Sequence, residues 1–181
     1  MKIAFIGTGL MGYPMAKNLI NKKLNLKVFS RTLEKAKPLE KLGAIIANSL
    51  GEAVKETDIV ITMLTDDEAV EKVLGDQEFL NNLKNSSTVI DMSSIKPKIS
   101  IQYGKLLKDR NIHFLDAPVS GGTIGAEEGS LAIMVGGDQN VFDEAFDTLK
   151  IMGNPTLVGP IGSGQVSKLA NQIIVGVTIG A

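Results

Sequence analysis

Short apolar runs rich in Val and Ile recur along this chain, and stretches with helical spacing separate them. Residues 2–6, 26–30, 58–64, 88–92, 113–117 and 131–136 read as strands, with 44–47 as a weaker one. Between them, 11–22 carries Met11, Met15, Leu19 and Ile20 near helical spacing. Helices are also expected from Thr32 to about residue 42, from Ser49 onward, over 97–110 with Pro97 in the first turn, and over 141–149. The strands are too continuously apolar to keep one face wet; Ile59, Val60 and Ile61 stand side by side in one of them. Strands buried on both faces and alternating with helices imply βαβ units. The expected fold is therefore α/β, a Rossmann-type, doubly wound and mostly parallel sheet.

Composition narrows the function. The 181 residues suffice for one sizeable domain with a small appendage. Nineteen Lys and Arg against twenty Asp and Glu leave no general field to attract nucleic acid or an anionic membrane. There is no cysteine, which excludes disulfides, thiolate metal sites and a Cys nucleophile, and the single His113 leaves no imidazole set for zinc, so no metal is expected. No segment reaches the roughly 18 apolar residues of a membrane span, and the apolar run after Lys2 is broken by Gly7. A cytoplasmic protein with no membrane or nucleic-acid partner is expected.

The turn Gly7-Thr8-Gly9-Leu10-Met11-Gly12 follows the first strand and opens the first helix. That context turns a common G-x-G-x-x-G string into a dinucleotide-binding signal. Gly7 permits the tight turn, Gly9 lets the backbone approach a pyrophosphate, and Gly12 lets helix and strand pack closely. The helix N-terminus supplies N–H groups and partial positive charge. A site for NAD normally ends the second strand with Asp or Glu, which accepts from the ribose 2′-hydroxyl. Here Ser30-Arg31-Thr32 stands there. Arg31 can grip a 2′-phosphate, and the two hydroxyls can donate to it. NADP(H) is the expected cofactor, with NAD(H) possible.

Beyond the turn, residues at strand ends and on the last helix complete the candidate site. Leu64 and Thr65 end a central strand, where α/β sheets place ligands. Ser94 follows the next strand, just ahead of a helix, and could equally be a helix cap. Ser120-Gly121-Gly122 reads as a loop whose backbone N–H groups lie open to an anion, or as a simple flexible turn. If the chain is helical from Gln165, then Gln165, Lys168, Asn171 and Gln172 share one face and Val166, Leu169, Ala170, Ile173 and Val177 another. Polar groups on so apolar a helix need partners or a cavity.

Four blocks resemble the β-hydroxyacid dehydrogenases, the group that contains 3-hydroxyisobutyrate dehydrogenase and tartronate semialdehyde (2-hydroxy-3-oxopropionate) reductase. They are FIGTGLMGYPMAKNL (5–19), DMSSIKP (91–97), DAPVSGGTIGAEEGSLAIMVGG (116–137) and GSGQVSKLANQ (162–172). The resemblance implies that Lys168 is the catalytic lysine, exchanging a proton with the substrate oxygen during hydride transfer, with Asn171 or Gln172 assisting. Some relatives place Asn four residues after the lysine, where this chain has Gln172. The resemblance also implies that Leu64, Thr65 and Ser94 line the cofactor. Ser120, Gly121 and Gly122, with Thr123 beside them, would hold the carboxylate of a small β-hydroxyacid.

By the same resemblance, 1–163 form an NAD(P)-binding domain. Residues 164–181 would begin an interdomain helix leading to a C-terminal helical domain absent from this chain, through which a homo-oligomer, a dimer, would form. The KLANQ string points to 2-hydroxy-3-oxopropionate reductase, while Ser-Arg-Thr suits relatives that reduce glyoxylate or succinic semialdehyde with NADPH; 3-hydroxyisobutyrate dehydrogenase is close behind. Decarboxylating 6-phosphogluconate dehydrogenases resemble it less, since Ala170 stands where they carry His, and imine reductases usually replace the lysine. The alternative of another class is a dinucleotide-binding module without chemistry.

Overall fold

The computed structural model describes residues 1–180. Six strands pair in parallel in the order β3-β2-β1-β4-β5-β6. They are β1 (Lys2–Ile6), β2 (Asn25–Phe29), β3 (Ile45–Ile46), β4 (Ile59–Thr62), β5 (Thr88–Asp91) and β6 (His113–Asp116). The chain then turns back. β7 (Val119–Ser120) continues the line of β6, and both pair antiparallel with β8 (Leu131–Gly136); β9 (Gly153–Gly159) pairs parallel with β8. The expected doubly wound, mostly parallel sheet is observed.

Side-chain alternation explains the two helical layers. Ile3 and Phe5 of β1 point into one core, and Ala4 and Ile6 into the other. The first core is covered by α1 (Gly12–Asn21), α2 (Leu33–Glu40), α7 (Gly122–Glu128) and α8 (Gln139–Lys150), through residues such as Met15, Leu39, Ala126 and Phe142. The second is covered by α3 (Leu50–Val54), α4 (Asp67–Leu74), α5 (Gln77–Asn82) and α6 (Pro97–Lys108), through Val54, Leu74, Phe79 and Tyr103. Each fully buried Leu, Ile or Phe contributes about 1.5–3 kcal/mol.

Two regions depart from expectation. The stretch 66–82 holds two helices where none was expected, and both start on an aspartate. Asp66 accepts from the Ala69 N–H and Asp76 from the Phe79 N–H, the usual N-cap arrangement. The segment 120–122 is not a loop. Ser120 ends β7, opposite Ala132, and Gly122 is the first residue of α7. Gly121, at φ 137°, makes the corner between them, a conformation open to glycine and costly for other residues.

The last element, α9 (Ser163–Gly180), follows β9 and packs against β6, β8, β9 and α6. No described helix is long and apolar enough to cross a membrane, and the described residues hold no group of three or more potential metal-binding side chains.

Candidate cofactor and catalytic site

At the carboxyl end of β1 the chain makes its tightest turn. Gly7 has φ 100°, and a side chain there would strike the Met63 carbonyl beside β4. A Cβ on Gly12 would strike the Gly7 carbonyl, so that position is glycine because α1 starts hard against the turn. Gly9 differs, since an added Cβ would meet nothing within 4 Å. No protein packing among the described residues requires glycine at position 9, and the backbone there is open to an approaching ligand. Two further features fit an anionic group. α1 has no side-chain cap and no acidic residue in its first turn, whereas α3, α4, α5 and α8 are each capped by Ser or Asp. Thr8 is 4% exposed, and its buried hydroxyl finds no hydrogen-bond partner among the described residues.

Gly7, Thr8, Gly9, Ser30, Arg31, Thr32, Leu64 and Thr65 line one cavity of about 220 Å³, which places eight of the expected cofactor residues together. Lys35 and Lys72 line it too, and none of its lining residues is acidic. Thr32 occupies the N-cap position of α2, but its side chain makes no capping bond. Of the remaining turn residues, Leu10 is almost fully exposed and shares a neighbouring groove with Thr8 and Gly9, and Met11 packs against the first core.

The catalytic candidates gather on α9. The helix is inverted relative to an ordinary surface helix. Gln165 and Lys168 are buried and Asn171 is half-buried, while Val166, Leu169, Ile173, Ile174 and Val177 are exposed. Asp116, at the end of β6, holds the helix start. Its Oδ1 accepts from the Gly162 N–H at 2.6 Å and its Oδ2 from the Gln165 N–H at 2.9 Å. Gly164 allows this approach, because a Cβ there would strike the Met134 carbonyl. Burial pushes the Asp116 carboxyl above its ordinary value, although the backbone N–H groups around it pull the other way.

Lys168 is 9% exposed, and its ammonium donates to Gln172 Oε1 at 3.0 Å. Burial lowers its pKa. Asn171 donates through Nδ2 to the Ser120 hydroxyl at 3.1 Å. The two amides therefore divide between the lysine and the last residue of β7. Lys168, Gln172, Gln165 and Ser94 line a second cavity of about 290 Å³. Ser94 does not cap α6, whose N-cap is Lys96. Gly121, Gly122 and Thr123 are exposed beyond Ser120.

A buried polar network joins the two cavities, and its members were not singled out from sequence. Thr62, Asp91, Asp116 and Gly136 sit in register across four strands. Thr62 donates to Asp91 Oδ1 at 2.8 Å and the Ser93 N–H donates to the same oxygen at 3.2 Å, while Asp91 Oδ2 has no partner. Burial, reinforced by Asp116, raises the Asp91 carboxyl to about 6 despite these bonds. The Ser93 hydroxyl accepts from the Leu64 N–H at 2.9 Å, so the cofactor-side loop after β4 is tied to the loop after β5. The available signal was an aspartate closing an apolar strand twice, at 91 and at 116.

Known proteins share this layout. Residues 2–164 match the family model of the NAD binding domain of 6-phosphogluconate dehydrogenase. The Escherichia coli 2-hydroxy-3-oxopropionate reductase is 42% identical over 183 residues, covering 100% of this chain and 62% of that protein. A probable mitochondrial 3-hydroxyisobutyrate dehydrogenase of Dictyostelium discoideum is 38% identical over 98% of this chain and 56% of its own length. The solved structure of the Mycobacterium tuberculosis 3-hydroxyisobutyrate dehydrogenase with L-serine superposes with a TM-score of 0.93 at 34% identity, covering 97% of this chain and 60% of that one. This chain thus spans about 60% of the length of these relatives. The chain belongs to the family of nicotinamide-dinucleotide-binding domains typified by that of 6-phosphogluconate dehydrogenase, over residues 2–164, and is similar along its whole length to β-hydroxyacid dehydrogenases.

Proposed function

We propose that the protein containing this chain is an NADP(H)-preferring oxidoreductase that interconverts a small β-hydroxyacid and its semialdehyde or 3-oxo acid. The best substrate assignment is 2-hydroxy-3-oxopropionate (tartronate semialdehyde), with 3-hydroxyisobutyrate, glyoxylate or succinic semialdehyde as alternatives. The carrying observation is a buried lysine on the polar face of α9, in a cavity it shares with Ser94.

In this reading a bound reduced dinucleotide supplies a hydride to the substrate's carbonyl carbon. Lys168 delivers a proton to the carbonyl oxygen as that oxygen becomes a hydroxyl, and takes the proton back in the oxidative direction. Burial suits it to both tasks, because a lysine that titrates below its ordinary range exchanges protons more readily near neutrality. Gln172 holds the ammonium, and Asn171 orients the Ser120 hydroxyl, which meets the substrate carboxylate together with the N–H groups of Gly121, Gly122 and Thr123. Arg31, flanked by Ser30 and Thr32, takes the 2′-phosphate, and the absence of acidic residues from that cavity's lining supports NADP(H) over NAD(H). A helical domain beyond α9 closes the cleft, completes substrate selection and carries the dimer contacts.

The test is NADPH oxidation by the full-length protein with tartronate semialdehyde, succinic semialdehyde and glyoxylate, and the reverse reaction with 3-hydroxyisobutyrate. Native protein should turn over at least one of these, and Lys168→Ala should lose about 10²–10⁴-fold in kcat. No turnover by the native protein would return the chain to a non-catalytic binding module, and equal rates from both would remove Lys168 from the chemistry.

A further inference from the structure

From the same geometry we infer that Gln165 is a positioning residue, an amide clamp that sets the register between the lysine helix and the loop carrying Ser94. The inference rests on the oxidoreductase reading above. The Gln165 side chain is 1% exposed and bonds one loop twice. Its Nε2 donates to the Ser93 carbonyl at 2.8 Å, and its Oε1 accepts from the Ile95 N–H at 3.1 Å. The two bonds straddle Ser94. The amide thus pairs with the backbone as another strand would, and burial leaves no water to replace it.

Three other contacts make the clamp a junction. The Gln165 N–H is held by Asp116, the Ser93 hydroxyl takes the Leu64 N–H, and Lys168 lies one helical turn farther along the same face. Among the described residues the one side chain that holds the Lys168 ammonium is Gln172, on the same helix. Its placement against the β5 loop therefore depends on how the first turn of α9 seats, and Gln165 is the side chain that joins the two. A displacement of about 1 Å in such a site costs on the order of 10²-fold in rate.

Gln165→Met keeps the length and removes both bonds. In the full-length protein its kcat should fall about 30–100-fold, while NADPH affinity, read by fluorescence titration, stays within about threefold of native. A kcat within about threefold of native in the folded variant would overturn the inference.

Should Gln165→Met fail to fold, Gln165→Glu decides. A carboxylate at 165 would meet the Ser93 carbonyl lone pair to lone pair, whereas the protonated acid donates and accepts as the amide does. The charged groups around it are Asp116 on β6, Asp91 on β5, Lys168 on α9, and Asp67 and Lys96 on the far side of the cavity. All of these titrate in the native protein too, so the quantity to read is the ratio of variant to native kcat. That ratio should climb at least fivefold from pH 8 to pH 5.5, and a flat ratio would overturn the inference. Lys168→Ala separates this failure from that of the function itself. Lost turnover there, beside an unaffected Gln165→Met, rejects the clamp alone, whereas absent turnover by the native protein rejects the oxidoreductase reading.

Discussion

Asp91 is the carboxyl whose replacement has the most quantifiable consequence. In the native chain its pKa stands at about 6 against 3.8 for an ordinary Asp, a rise of about two pH units. At about 1.4 kcal/mol per unit, ionising Asp91 inside the fold costs about 3 kcal/mol. The sign follows from proton binding. Between the two values the folded chain holds the proton more tightly than the unfolded one. The stabilisation is therefore complete below about pH 4 and disappears as pH rises through 6. Asp91→Asn keeps an oxygen to accept from Thr62 and Ser93 and carries no charge at any pH. Urea unfolding of native and Asp91→Asn full-length protein, followed by far-ultraviolet circular dichroism from pH 4 to pH 7.5, gives the difference directly. The variant should gain about 3 kcal/mol on the native protein across that range. A difference that stays constant with pH would refute the reasoning, because it would mean that Asp91 ionises as freely in the fold as outside it.

Gly9→Ala and Gly12→Ala should separate ligand space from packing. Gly9→Ala should leave the unfolding midpoint unchanged and weaken NADPH binding at least tenfold by titration, whereas Gly12→Ala should lose about 1–3 kcal/mol of stability by thermal unfolding. Arg31→Ala should raise the NADPH dissociation constant about 10–100-fold, the weight of a charge-assisted hydrogen bond, and move NADH binding less than threefold. In the reductive direction activity needs the protonated Lys168. Since burial lowers its pKa, kcat should fall on the alkaline side at a pH below the ordinary lysine value of 10.5, in a pH–rate profile from 6 to 10.5.

Legibility from sequence followed the strength of the local signal. β1, β4 and β8 are near-unbroken apolar runs, and the glycine turn sits where strand and helix signals meet, so fold and cofactor turn were readable. The helices α4 and α5 are short and owe their starts to Asp66 and Asp76, a capping signal easily passed over beside stronger periodicity. The stretch 120–122 misled because Ser-Gly-Gly is ordinary loop chemistry, and only the antiparallel pairing with β8 makes Ser120 a strand residue. The buried network left only a trace in the sequence, the aspartates at 91 and 116, and its contacts were not legible. Asp116 meets the start of α9 across 46 residues, and Gln165 meets Ser93 across 72, and no local pattern announces contacts that far apart.

The seating of α9 has a mechanical consequence. Its first turn hangs from a carboxylate on β6 and an amide bond to the β5 loop, so the beginning of the helix moves as part of the sheet. Farther along, Ile173, Ile174 and Val177 grip nothing within the described residues. Lys168 lies one turn beyond these anchors, so its amine is fixed to the sheet, while the apolar stripe of α9 begins where that hold ends.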